Sequence, residues 1–196
     1  MMGDSMKPKS ERTTPNKSRA VVRRHRQREA KSQTALRVAM GELLFEQPFH
    51  AITVQQLLER AGIGRTTFYA HFQDKDDLLL ASFTGMLDMM TSQLASDPPG
   101  TRRLLPVREF FTHVAAAAPV MATLQDTPQW SAMWSLASAH FARTVEPRAG
   151  STVTARFLAG AMMELLQWWL ARTPRPPAET MDAEFHALAN RLVPPR

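Results

Sequence analysis

From residue 32 onward apolar residues recur three and four positions apart, and no stretch alternates apolar with polar at every second residue. That period belongs to helices that each bury one stripe, so the chain is expected to fold as an all-α protein. Leu36, Met40, Leu43 and Leu44 mark a first helix that ends before Pro48. Thr53 stands as the N-cap of a second, in which Val54, Leu57, Leu58 and Ala61 follow at i, i+3, i+4 and i+7. Gly62 stops it, because glycine takes the left-handed conformation without a steric penalty. A short third helix then begins near Gly64 or Arg65, with Phe68 and Phe72 on one side, and Asp74 opens a fourth whose stripe is Leu79, Phe83, Met86 and Met90. After a break at 96–100, helical segments are expected at about 104–118, 119–126, 128–144, 151–172 and 177–192, punctuated by Pro119, Pro128, Pro147, Gly150, Pro174, Pro176 and Pro177. No internal repeat is apparent.

Several function classes drop out. The chain contains no cysteine, which removes disulfides, thiol nucleophiles and Cys-ligated zinc. There is no HExxH, GxSxG or GxxxxGK motif, and the Gly62-x-Gly64 pair lacks the third glycine of a dinucleotide fingerprint because position 67 is Thr. No enzyme activity, metal or cofactor is expected. The greasiest stretch, 157–171, is interrupted by Glu164 and Gln167 and is shorter than the roughly 20 apolar residues of a membrane helix. A soluble, cytoplasmic protein is expected.

The net charge of +6 is concentrated at one end. Residues 1–31 hold ten Lys/Arg (Lys7, Lys9, Arg12, Lys17, Arg19, Arg23, Arg24, Arg26, Arg28, Lys31) against Asp4, Glu11 and Glu29, leaving the remainder nearly neutral. With Val21 and Val22 as its only branched aliphatics, this stretch has little to bury, and it reads as a disordered basic arm, turning helical at the earliest from about Val21. Its charge suits a polyanion; a solubilising leader and an Arg-rich transit peptide have the same composition.

Two helices joined by Ala61-Gly62-Ile63-Gly64, the second only about two turns long, have the form of a helix-turn-helix, whose second helix enters the DNA major groove. Around the turn stand Thr53, Arg65, Thr66, Thr67, Tyr69, His71 and Lys75, all able to contact phosphates or bases, interleaved with the anchors Ile63, Phe68 and Phe72. Arg65 is the expected base reader, since a guanidinium bonds bidentately to guanine. Arg37 and Arg60 read as solvated helix faces. At these residues the stretch TVQQLLERAGIGRTTFYAHFQDKDDL, 53–78, resembles the DNA-binding signature of the TetR family of bacterial transcriptional regulators. Gly64 departs from that pattern, where a small polar capping residue is common, and is a poorer N-cap.

The resemblance implies a homodimer that binds a near-palindromic double-stranded operator and is released, most commonly as a repressor, by a small-molecule effector. It also implies phosphate contacts from Thr53, Tyr69, His71 and Lys75, with Arg65, Thr66 and Thr67 at bases or adjacent backbone. The expected division is a basic arm at 1–31, a helix-turn-helix domain at 32–76 and a helical effector-binding and dimerisation domain at 77–196. The competing reading is a helical architectural protein that coats DNA without effector control; it needs neither the turn module nor a large neutral domain.

In the C-terminal part, the 151–172 segment is apolar over a wide arc, and with 177–192 it supplies Phe157, Leu165, Trp168, Phe185, Leu188 and Leu192 for a dimer interface or for the chain's own core. Met86, Met90, Phe110, His113, Met121, Trp130 and Trp134 suit an effector pocket for apolar compounds, and equally an ordinary core. Glu109 and His140 are further polar handles.

Overall fold

The computed structural model describes residues 16–94, 102–125 and 127–193, all helical or connecting backbone. The helices are α1 (Asn16–Glu46), α2 (Val54–Ala61), α3 (Arg65–Tyr69), α4 (Lys75–Gln93), α5 (Val107–Ala116), α6 (Ala118–Leu124), α7 (Pro128–Ala149), α8 (Thr152–Leu170) and α9 (Ala178–Leu192), with a 3-10 turn at Phe49–Ala51 between α1 and α2. Among the described residues no helix is long and apolar enough to cross a membrane.

Two clusters of buried side chains organise the chain. The first joins Leu36, Met40 and Leu43 of α1 to Leu57 and Leu58 of α2, to Phe68 and Phe72, and to Leu78 and Leu79 of α4; it is closed from the other side by Val120, Leu124 and Met133 of α6 and α7. The second lies among α4, α5, α7, α8 and α9, with Phe110 edge-on to Phe141 at 5.0 Å and Phe111 tilted against Trp169 at 5.2 Å. Such aromatic pairs add to what their burial alone contributes. Helix α4 belongs to both clusters: Leu78 and Leu79 enter the first, Leu87 and Met90 the second, and Phe83 packs against each. The division expected after residue 76 therefore falls in the first turn of one continuous helix.

The basic arm departs from its expectation. Helix α1 starts at Asn16, so the part of the 1–31 segment that the structure describes is helical, while 1–15 lie outside the described residues. Once Leu36, Ala39 and Met40 anchor α1, the nucleation cost is met, and Arg, Gln, Ala and Lys propagate a helix readily without burying anything. The break expected at 96–100 also lies outside the described residues. Helix α7 passes the stop expected at 144 and ends at Gly150, φ +69°. Pro147 sits in its last turn, and Val145, fully buried, holds that turn down.

A cluster of charges fastens the second core. Arg103 donates from Nη1 to Glu109 at 3.1 Å and from Nη2 to Asp182 at 2.9 Å, and makes a further close contact with the other Glu109 oxygen, so the 102–106 segment, α5 and α9 are pinned together. Burial would raise the Asp182 carboxyl pKa, but hydrogen bonds from His186 and Arg103 outweigh it and hold the group at about 2.

Candidate functional site

The turn module is assembled by local rules. The Thr53 hydroxyl accepts from the Gln56 backbone N–H at 3.2 Å while the Gln56 side chain accepts from the Thr53 N–H at 2.9 Å, a reciprocal capping box that starts α2. Gly62, at φ +65°, ends α2, and the Ile63 N–H returns to the Leu58 carbonyl at 3.0 Å. Gly64 precedes α3 without any side-chain cap. Phe68 is fully buried and Phe72 nearly so, their rings 5.9 Å apart. Arg65, Thr66 and Tyr69 are thereby turned outward, with Thr67 half-buried beside them. Tyr69 is 53% exposed and stands edge-on to Phe68 at 5.2 Å. This leaves a guanidinium, a hydroxyl and a phenol on the exposed side of α3.

The remaining residues of the expected set are placed differently. Thr53 is exposed at the start of α2 with its hydroxyl committed to the cap. His71 is half-buried, its Nδ1 3.2 Å from Nε2 of Gln33, a contact that ties α1 to the end of α3. Lys75 is a correction. Its ammonium donates to the backbone carbonyls of Phe49 at 3.0 Å, His50 at 3.2 Å and Ile52 at 2.8 Å, and lies 4.6 Å over the Phe49 ring. An ammonium has three donors, so all are used to hold the 3-10 turn and none is left for a phosphate. Nothing in the local spacing announces this, because the carbonyls it meets are more than twenty positions away.

Arg60 is exposed as expected, but it forms a paired contact with Glu46, Nη1 and Nη2 each 2.8 Å from a carboxylate oxygen; that hydrogen bonding raises the guanidinium pKa and lowers that of Glu46. Arg37 is a second correction. It is half-buried between α1 and α4, its Nε is buried without a hydrogen-bond partner, and its Nη1 lies 3.0 Å from where a Cβ on Gly85 would stand. Glycine at 85 leaves room for this guanidinium against α4.

Of the pocket residues, Phe110, His113, Met121, Trp130 and Trp134 come together around a cavity of about 40 Å³, with Phe83, Val114, Met133, Met163 and Leu166 completing the wall. Trp130 and Trp134, 5.8 Å apart, together with Val114 and Met121 also form one side of an adjoining groove of about 550 Å³ whose far end carries Gln125, Gln167 and Arg175. Met86 and Met90 do not line either space. Both pack into the second core, Met90 nearly fully buried beside Leu87; they share the α4 stripe with Phe83 but lie about one and two turns further along the helix, and Phe83 is the residue of that stripe that reaches the cavity. Glu109 is held by Arg103, and His140 lies 3.3 Å from the Thr91 hydroxyl, so neither is a handle for the cavity. Burial lowers the His140 pKa against the opposing pull of Asp88.

Phe157 and Trp168 of α8 and Leu188 and Leu192 of α9 are exposed, by 60%, 43%, 63% and 51%. Val153, which spacing alone did not single out, continues that α8 row one turn earlier at 77%. Phe185 is corrected: it turns inward with Met181 and Ala189, and Leu188 lies on the flank of that row. Leu165 is half-buried against the same core.

Residues 36–82 match the family model described as bacterial regulatory proteins, tetR family. The helix-turn-helix segment of this chain is thus similar to that of the TetR family. That is a family of transcriptional regulators and not of enzymes. The HTH-type transcriptional regulator EthR of Mycolicibacterium smegmatis (strain ATCC 700084 / mc(2)155) is 28% identical over 113 residues, 53% of this chain and 52% of that protein, so the chain spans about half the length of the curated relative it matches. The overall fold is that of solved TetR-family structures. A TetR transcriptional regulator from Streptococcus agalactiae 2603V aligns at a TM-score of 0.56 and 22% identity over 87% of this chain and 98% of its own. One from Rhodococcus sp. RHA1 gives 0.56 and 15% over 84% and 99%. The dihydroxyacetone kinase operon activator DhaS gives 0.59 and 15% over 83% and 96%.

Proposed function

We propose that this chain is a ligand-responsive transcriptional repressor of the TetR family that acts in the cytoplasm, binding a near-palindromic DNA operator as a homodimer and leaving it when a small apolar effector is bound. The observation that carries the reading is the outward set Arg65, Thr66 and Tyr69 on α3, held rigid by Phe68 and Phe72 beneath. Arg65 reads a base, Thr66, Thr67 and Tyr69 reach bases or phosphates, and Thr53 and His71 border the same surface. Lys75 contributes by fixing the 49–52 backbone. In this reading α1–α3 with the first turn of α4 form the DNA-binding unit and the rest of the chain binds effector and partner.

Dimerisation is supported by the exposed apolar row on α8 and α9. A two-fold axis through it buries Phe157, Trp168, Leu188 and Leu192 twice over and sets two α3 helices in opposite orientations for an inverted repeat. Effector control is supported by Phe83, which lines the cavity while packing against both cores. A ligand that enlarges the cavity displaces Phe83 and with it α4, whose first turns carry Leu78 and Leu79 of the DNA-binding core. A compound that weakens operator affinity 100-fold binds the DNA-free conformation more tightly by about 2.7 kcal/mol, and operator weakens the compound equally. Neutral or weakly charged apolar compounds are the expected class, given walls of Trp, Met, Phe and Val.

Thermal-shift screening followed by operator release is the test. Apolar hits that stabilise the protein and release DNA are expected. Hits that stabilise it and leave DNA affinity unchanged contradict the coupling, and hits confined to strongly charged metabolites contradict the ligand class.

A further inference from the structure

Helix α1 is far longer than the first core requires. Its first fully buried residue is Leu36, and from Arg19 to Lys31 every side chain described is exposed except Glu29, which is half-buried. Over 16–31 the helix carries Lys17, Arg19, Arg23, Arg24, Arg26, Arg28 and Lys31 against Glu29 as its one acid. Like charges stand at i, i+4 (Arg19 and Arg23, Arg24 and Arg28) and at i, i+3 (Arg23 and Arg26, Arg28 and Lys31), each pair opposing the helix. Its first turn contains no acid to balance the dipole. An extension whose described side chains are almost all exposed, and whose neighbouring cations repel one another, is stabilised by a polyanion laid along it.

The contact between Gln33 and His71 fixes which side faces that polyanion, because it sets one stripe of α1 against the end of α3. At 100° per residue, Arg26 and Arg19 lie within about 20° and 40° of Gln33 around the helix, whereas Arg24, Arg28 and Lys31 lie on the far side. The stretch from Asn16 to Gln33 is about 26 Å long at 1.5 Å per residue, the length of roughly seven base pairs. We infer that the exposed N-terminal stretch of α1 is a second DNA-contacting element, whose Arg19 and Arg26 side engages phosphates flanking the site that α3 reads. It acts as a helix laid along the backbone and contributes affinity and reach without reading sequence. This rests on the DNA-binding reading above and extends it outward from the turn module.

The test uses the full-length protein and duplexes it selects from a random library, each prepared in two lengths: trimmed to the protected site, or carrying about ten more base pairs on either side. Wild-type protein is expected to bind the longer duplex at least about tenfold more tightly and with a steeper dependence of log affinity on log salt. The double variant R19Q/R26Q is expected to lose that length preference and to lower the salt slope by about two per protomer, at roughly 0.9 per phosphate contact. The charge-matched double variant R24Q/K31Q is expected to retain the preference. All four positions are exposed and glutamine is a good helix former, so circular dichroism should be unchanged. Equal losses in both variants, or wild-type indifference to the flanks, overturn the assigned side of α1 while leaving the turn module standing. If the wild-type protein selects no duplex, the DNA-binding reading falls and this inference with it.

Discussion

The turn module and the C-terminal bundle are both built from helices that bury an apolar face, yet they spend their surface in opposite ways. In the module the aromatic residues are hidden and the polar ones displayed: Phe68 is fully buried while Arg65, Thr66 and Tyr69 face out. In the bundle, Phe157, Trp168 and Leu188 are displayed and a half-buried ion cluster, Arg103 with Glu109 and Asp182, holds the 102–106 segment, α5 and α9 together. A polar display over an apolar anchor suits a charged, grooved partner; an apolar display suits a second copy of the same surface. Substitutions exchanged between the two regions should therefore fail in different ways.

The largest effect is expected where an apolar display is given a charge. Leu188→Glu should split the proposed dimer, because a charge buried without a partner costs several kcal/mol and two-fold symmetry buries it twice. Light scattering that reports an unaltered dimer, or a monomeric wild type, breaks this side of the comparison. Next, Phe68→Ala should destabilise by about 3–5 kcal/mol in denaturant unfolding, the cost of emptying a fully buried aromatic site, and a loss under 1 kcal/mol would mean the module does not depend on its anchor. Lys75→Ala should cost about 1–3 kcal/mol by leaving the carbonyls of residues 49, 50 and 52 without their donor. Tyr69→Ala should leave stability nearly untouched and weaken DNA binding alike across sequences. Were Lys75→Ala to match Tyr69→Ala on both measurements, the structural role given to Lys75 would be wrong.

How far this was legible follows from the range of the interactions. Thr53, Gly62 and the Phe68/Phe72 pair act on backbone within a few residues of themselves, so spacing alone places them. Lys75 and Arg37 act at a distance, on the 3-10 turn and on Gly85, and both look like ordinary surface cations until the helices are assembled. The same holds for α9, where Phe185 and Leu188 share one apolar pattern and only packing against α5 sends one inward and leaves the other out. The helix reaches back to Asn16, beyond the turn to helix expected from about Val21, because composition registers what a segment can bury, and this one is carried as an extension of a helix anchored elsewhere.

A smaller effect concerns the ion cluster. The Asp182 pKa is depressed to about 2, below the ordinary carboxylate value in the unfolded chain, so its contribution is fully present above about pH 4 and is lost as pH falls toward 2. Asp182→Asn should flatten the acid limb of the stability profile over that window while leaving neutral-pH DNA affinity unchanged. An identical acid limb would show that the cluster does not control acid unfolding.

The account rests most heavily on α3 as the surface that reads DNA. Binding-site selection with wild-type protein and Arg65→Ala, compared base by base, addresses it directly. The expected result is a discrete inverted repeat for the wild type and, for the variant, relaxed preference at one base pair in each half-site, worth about 1–3 kcal/mol, with the rest of the site retained. Broad protection without an inverted repeat, or an unchanged preference in Arg65→Ala, would contradict it.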